Sequence, residues 1–121
     1  MSKKIKISDS ELEVMQALWK IKKGTSSEII AAISNTWSKK TIQTLISRLV
    51  SKDVIGVDKS NQYVFTYYPL ISENDYKSLE NSSFLEKLYD GSLAMMVSTI
   101  IKNKNASDDD IEELKKILNE E

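Results

Sequence analysis

Apolar residues recur along this chain at helical spacing, then at strand-like spacing, then at helical spacing again. Leu12, Met15, Leu18 and Trp19 share one helix face, and Ser8-Asp-Ser-Glu11 ahead of them has the form of a capping box. A helix is predicted from about Asp9 to Ile21. Lys22-Lys-Gly24 ends it, with cations at the negative end of the dipole and Gly24 as the stop. Thr25-Ser-Ser-Glu28 is a second capping box, opening a short helix whose apolar face, Ile29, Ile30 and Ile33, runs through Asn35. Ile42, Leu45, Ile46 and Leu49 fall at i, i+3, i+4 and i+7 of a third helix, capped by Ser38 and starting at Lys39. Trp37, just before that cap, reads as a staple or core residue.

After Lys52-Asp53 the period changes. Val54-Ile-Gly-Val57 and Tyr63-Val-Phe-Thr-Tyr-Tyr68 are β-prone, and the polar stretch between them contains Asn61, a residue suited to positive φ. This predicts a β-hairpin with a polar tip, its second strand closed by Pro69. Helix, helix, helix, hairpin is the winged helix-turn-helix order, here over residues 1–71.

Residues 72–121 read as helices again. Ser72 with Asp75 opens one to about Tyr89, Asp90-Gly91 stops it, Leu93 to Ile101 is nearly all apolar, and Ser107 caps a last helix with the stripe Ile111, Leu114, Ile117 and Leu118. Three short helices make a poor core alone. The apolar surface of Leu93–Ile101 faces too many directions for a helix with one neighbour. The expected solution is a twofold homodimer rather than folding back on the winged domain. Its interface residues would be Phe84, Leu85, Leu88, Met96, Ile100, Leu114, Ile117 and Leu118. Met95 and Met96 are read as core filler. The fold class is mainly α with a small β-hairpin wing: a winged helix-turn-helix followed by a C-terminal helical dimerisation region.

Charge sharpens this reading. The net charge is −1, but residues 1–70 hold 11 Lys/Arg against 6 Asp/Glu, and residues 71–121 hold 6 Lys against 12 Asp/Glu. A basic half beside an acidic half points to a polyanion touching only the first. The third helix concentrates the effect. Opposite its apolar stripe lie Lys40, Thr44, Ser47 and Ser51, flanked by Gln43 and Arg48, with no carboxylate. Lysines at 39 and 40 oppose the helix dipole, an arrangement that makes sense where the helix start meets an anion. Gln43 suits a bidentate contact with adenine and Lys40 suits guanine or phosphate, while Lys39, Arg48 and Lys59 at the hairpin tip would hold phosphates.

There is no cysteine and no histidine, which excludes disulfides, thiolate or imidazole metal sites and every His-dependent triad. Asp108-Asp-Asp110 suits a helix start better than a metal, because consecutive residues fan around a helix. No cofactor and no enzymatic activity are expected. No apolar run approaches the ~20 residues of a membrane span. The basic start Met-Ser-Lys-Lys-Ile-Lys6 is followed by no long apolar region, so the expected location is the cytoplasm.

The pieces Ile7-Ser-Asp-Ser-Glu-Leu-Glu-Val-Met15, Trp37-Ser-Lys-Lys-Thr-Ile-Gln-Thr-Leu-Ile-Ser-Arg-Leu49, Ser83-Phe-Leu85 with Tyr89-Asp-Gly91, and Ile111-Glu-Glu-Leu114 with Ile117-Leu118 resemble, in order, the penicillinase-repressor family, which includes the methicillin-resistance repressors. The resemblance implies a dimeric repressor on a double-stranded DNA operator. It implies that Lys40, Thr41, Gln43 and Thr44 face bases or phosphates and that Arg48 anchors the backbone. It also implies a sensor-protease signalling partner and cleavage in the C-terminal part, at a bond that aligns with Thr99-Ile100. Four departures stand out. Lys39 replaces a frequent proline, Asp53 a frequent glycine, and Thr99-Ile100 the family's Asn-Phe; the paired cysteines of copper-responsive relatives are absent. The rival expectation is a winged-helix protein-interaction module without sequence-specific DNA binding. The acid-free face and the charge split favour DNA.

Overall fold

The computed structural model describes residues 5–120; the basic start Met1-Ser-Lys-Lys4 and Glu121 lie outside them. The order is α1 (Asp9–Ile21), α2 (Ser26–Ala32), α3 (Lys39–Ser51), β1 (Ile55–Asp58), β2 (Thr66–Pro69), α4 (Glu73–Tyr89), α5 (Leu93–Lys102) and α6 (Asp108–Asn119). The chain divides into two compact units, one ending at Tyr76 and one beginning at Lys77. The mainly helical composition with a two-stranded hairpin is the winged-helix class.

The helix starts follow from local chemistry. Ser8 Oγ accepts the Glu11 N–H at 3.1 Å while Glu11 Oε1 accepts the Ser8 N–H at 2.9 Å. Thr25 and Glu28 do the same for α2, and Ser107 and Asp110 for α6. Each reciprocal pair satisfies two backbone donors that a helix start leaves open. Ser38 caps α3 through the Thr41 N–H at 3.1 Å.

α1 ends at Ile21 and α4 at Tyr89 as expected, but the stop of α1 and the extent of α2 differ from expectation. Gly24 is not the stop of α1. Lys22 is, with φ 73°, and Gly24 instead forms a β-bridge with Tyr67. Their backbones exchange both hydrogen bonds, Gly24 N–H to Tyr67 O at 3.0 Å and Tyr67 N–H to Gly24 O at 2.7 Å. The α1–α2 connection thereby joins the edge of the wing. α2 stops at Ala32 rather than Asn35, because Ile33 is already extended and packs on the core from outside the helix. At the end of α3, Val54 N–H bonds Leu49 O at 3.0 Å and Asp53 N–H bonds Val50 O at 3.1 Å. This is the two-bond closure that normally places glycine in the left-handed position. Here Asp53 occupies it with φ 62°.

The sheet is one antiparallel pair, with Ile55 opposite Pro69, Gly56 opposite Tyr68, Val57 opposite Tyr67 and Asp58 opposite Thr66. The second strand is shorter than its β-propensity predicts, because Tyr63, Val64 and Phe65 stand outside it. Side chains at the tip capture the backbone instead: Asp58 Oδ1 accepts the Ser60 N–H and Asn61 Oδ1 accepts the Tyr63 N–H, both at 2.9 Å. Such local bonds compete with ladder pairing. Asn61 is not among the positive-φ residues; its side chain makes the turn.

The first unit has one core, formed by Val14, Met15 and Leu18 of α1, Ile29 of α2, Ile42, Leu45, Ile46 and Leu49 of α3, and Val54 and Ile55 entering the hairpin. Each fully buried aliphatic side chain contributes about 1.5–3 kcal/mol relative to exposure. Trp19 lies on the core margin, its Nε1–H donating to Ile71 O at 2.9 Å and its ring 5.7 Å from that of Tyr76. In the second unit no described residue is buried. Phe84, Leu88, Leu93, Met95, Ile101, Ile117 and Leu118 are exposed there, Leu118 by 69%.

Candidate nucleic-acid interface

α3 is amphipathic in the strict sense. Its stripe Ile42, Leu45, Ile46 and Leu49 is buried, and Lys39, Lys40, Thr41, Gln43, Thr44, Ser47 and Arg48 are all exposed. The two threonine hydroxyls are already engaged: Thr41 Oγ1 lies 3.0 Å from Ser38 Oγ, and Thr44 Oγ1 donates to Lys40 O at 3.0 Å. Among the described residues, the side chains of Lys39, Lys40, Gln43 and Arg48 have no hydrogen-bond or ion-pair partner. Three cations and one amide therefore stand available on a rigid element, without an acid to neutralise them. That is the chemistry of a surface that meets phosphates and base edges.

The wing supplies the other cation. Lys59 is exposed at its tip, its ammonium 5.3 Å from the centre of the Phe65 ring. The neighbouring Asp58 is engaged by another cation, Lys23 Nζ reaching Asp58 Oδ2 at 3.3 Å. Hydrogen bonds from the Ser60 hydroxyl and N–H, helped by Lys23, hold the Asp58 carboxyl down at about 2. It stays ionised at neutral pH and committed to the turn.

Several supporting residues carried no signal in the sequence. Lys52 reaches Glu11 Oε1 at 2.6 Å and Lys6 O at 3.0 Å, tying the end of α3 to the start of α1. Asn35 Nδ2 donates to Glu13 Oε1 at 3.2 Å, tying the approach to α3 to the same helix. Only a charge pattern spanning about forty residues would have pointed to the Lys52 pair, and helical periodicity does not register such separations.

In the second unit, Phe84, Leu88, Ile117 and Leu118 are exposed, while Leu85, Met96, Ile100 and Leu114 are half-buried. Val97, Ile100, Ile101, Ala106, Ile111 and Leu114, with Asp110, line a mainly apolar groove between α5 and α6. Thr99 is exposed and Ile100 half-buried, both within α5. Among the described residues no group of acids is placed to hold a metal, and no helix is long and apolar enough to cross a membrane.

Comparison with known proteins agrees with this geometry. Residues 7–120 match the profile of the penicillinase repressor family. A penicillinase repressor of Bacillus licheniformis is 42% identical over 122 residues, covering 99% of this chain and 94% of that one. The methicillin resistance regulatory protein MecI of Mammaliicoccus sciuri is 39% identical over 120 residues, covering 98% and 97%. The solution structure of the monomeric form of Bacillus licheniformis BlaI in complex with the blaP half-operator has a TM-score of 0.54 at 44% identity, covering 63% of this chain and 94% of that one. The chain belongs to the penicillinase repressor family.

Proposed function

We propose that this chain is a DNA-binding transcriptional repressor that occupies an inverted-repeat operator as a homodimer. Residues 1–71 read the DNA and residues 72–121 hold two copies together. The observation that carries the reading is α3 itself: a buried stripe on one side and, on the other, exposed Lys39, Lys40, Gln43 and Arg48, which have no partner among the described residues and no acid on their face. In this reading Gln43 and Lys40 meet base edges, Thr41 and Thr44 line the same face, and Lys39, Arg48 and Lys59 meet phosphates. The half-operator complex of the related BlaI supports it.

Dimerisation is supported by the second unit, in which no described residue is buried while Phe84, Leu88, Ile117 and Leu118 are exposed. A twofold partner covers such a surface with the same surface. The test combines sedimentation with binding to duplexes selected by the chain from a random pool. The expected outcome is a dimer that prefers an inverted repeat and loses affinity steeply on a single half-site. Ile117→Asp with Leu118→Asp should give folded monomers. A chain that selects no sequence supports a protein-interaction module instead.

Relief of repression is proposed to come from a sensor protease cutting near Thr99-Ile100. The exposure of Thr99, and its hydroxyl bonding back to Met95 O at 2.9 Å, favour local opening of α5. The intact mass of the protein from cells with and without β-lactam exposure tests this. An uncut chain that leaves its operator sinks the cleavage reading.

A further inference from the structure

We infer that Phe65 is a positioning residue for Lys59, holding the wing's cation ready for a DNA phosphate. The inference rests on the proposed function and names a part of its machinery. Three observations carry it. Phe65 lies outside β2 and so is not held by the ladder, and it is 41% exposed instead of joining the core. Its ring lies 5.3 Å from Lys59 Nζ, within cation–π range. Among the described residues Lys59 has no ion pair, because the adjacent Asp58 is engaged by Ser60 and Lys23.

The physical effect is on entropy. A lysine at a loop tip samples many rotamers, and fixing it on a phosphate loses them. A ring beside the ammonium narrows that set beforehand, and it does so without the competing negative charge that a carboxylate would bring. The Asp58 and Asn61 turns hold the backbone on either side of Ser60, so ring and ammonium are presented from a defined loop. The ligand recognised is the phosphate backbone, so the effect is independent of base sequence.

The test is a double-mutant cycle on the full chain, comparing the unmodified protein with Lys59→Ala, Phe65→Leu and the pair. Binding is measured to the duplex selected by the unmodified chain and to a random-sequence duplex, with thermal unfolding as a folding control. Phe65→Leu should weaken binding to both duplexes by about two- to fivefold. In the Lys59→Ala background the same change should have no further effect, and Phe65→Tyr, which keeps the ring, should bind like the unmodified chain. Equal losses from Phe65→Leu in both backgrounds overturn the inference, since the ring would then act without Lys59. A silent Lys59→Ala in a chain that still binds DNA also overturns it while leaving the proposed function standing. Failure of the unmodified chain to bind either duplex removes the proposed function itself and the inference with it.

Discussion

Lys52 Nζ and Glu11 Oε1 meet at 2.6 Å across 41 residues of sequence, with the Glu11 side chain almost wholly buried and that of Lys52 partly exposed. The same Glu11 oxygen accepts the Ser8 N–H, so one carboxylate caps α1 and anchors the end of α3. Burial pushes the Glu11 carboxyl up. The Lys52 hydrogen bond, the Ser8 bonds and the Lys52 charge outweigh it, leaving the group below its ordinary 4.5.

Lys52→Ala should therefore destabilise by roughly 1–3 kcal/mol at neutral pH, less than for a wholly buried pair because Lys52 is partly solvated. The sign of the pH dependence follows from the lowered value. The pair contributes fully above 4.5, the unfolded-state value, and loses its contribution as pH falls through the folded-state value. Urea unfolding at pH 7 and at a pH well below 4.5 should find the gap between the two proteins narrowing at the lower pH. A gap that widens would show that the carboxylate is not stabilised by Lys52.

Asp53 sits at φ 62° where the α3 closure favours glycine. Asp53→Ala should lose about 0.5–1.5 kcal/mol, since alanine lacks aspartate's tolerance of this region. Asp53→Gly should be more stable than Asp53→Ala by about 1 kcal/mol. Thermal unfolding of the two variants checks the order, and its reversal would mean that left-handed backbone strain does not limit this position.

Gln43→Ala should relax base preference at one position per half-site and cost about 1–3 kcal/mol on the preferred sequence. Arg48→Ala should weaken all sequences nearly alike and flatten the salt dependence. Repeating the selection with each variant separates them. An unchanged preference with Gln43→Ala would place base reading elsewhere on α3.

A fragment ending at Tyr76 should fold alone, and one ending at Leu70 should be less stable by about 2–3 kcal/mol. The shorter fragment lacks the Ile71 carbonyl that accepts from Trp19 and the Tyr76 ring beside it. Tryptophan fluorescence during urea unfolding reports both. Equal midpoints would make that segment a passive connection to α4.

What the sequence made legible was chemistry confined to one turn. Ser8 with Glu11, Thr25 with Glu28 and Ser107 with Asp110 declare helix starts because donor and acceptor lie three residues apart. The exposed face of α3 was legible from the same periodicity that buries Ile42 and Leu49. Helix ends were less so at Lys22 and Asp53, which take positive φ where glycine is the usual marker, whereas the Asp90-Gly91 stop of α4 was legible and Gly91 takes φ 83°. Tyr63-Val-Phe65 misled because β-propensity says nothing of a partner, and the Asp58 and Asn61 side chains had taken the nearby backbone donors. The Lys52 contact and the Gly24 bridge depend on tertiary proximity alone.

Because Gly24 pairs with Tyr67 along the outer edge of the hairpin, one position from its last paired residues, the paired strands form a fixed socket for the tip. Tip residues 59–65 lie beyond the last paired position, Asp58 with Thr66, so changes there should leave the ladder intact, at a cost in DNA affinity where Lys59 or Phe65 is lost. The socket is less permissive. One residue inserted between Thr66 and Pro69 would shift the register and turn Tyr67 to the opposite side of the sheet. A side chain larger than hydrogen at position 24 would place its first carbon 2.8 Å from Ile21 Cδ1, a methyl that can rotate away, and 3.2 Å from Glu28 Cβ, which the α2 backbone holds in place. Diversification of the wing is thereby channelled into the tip, leaving the placement of α3 untouched.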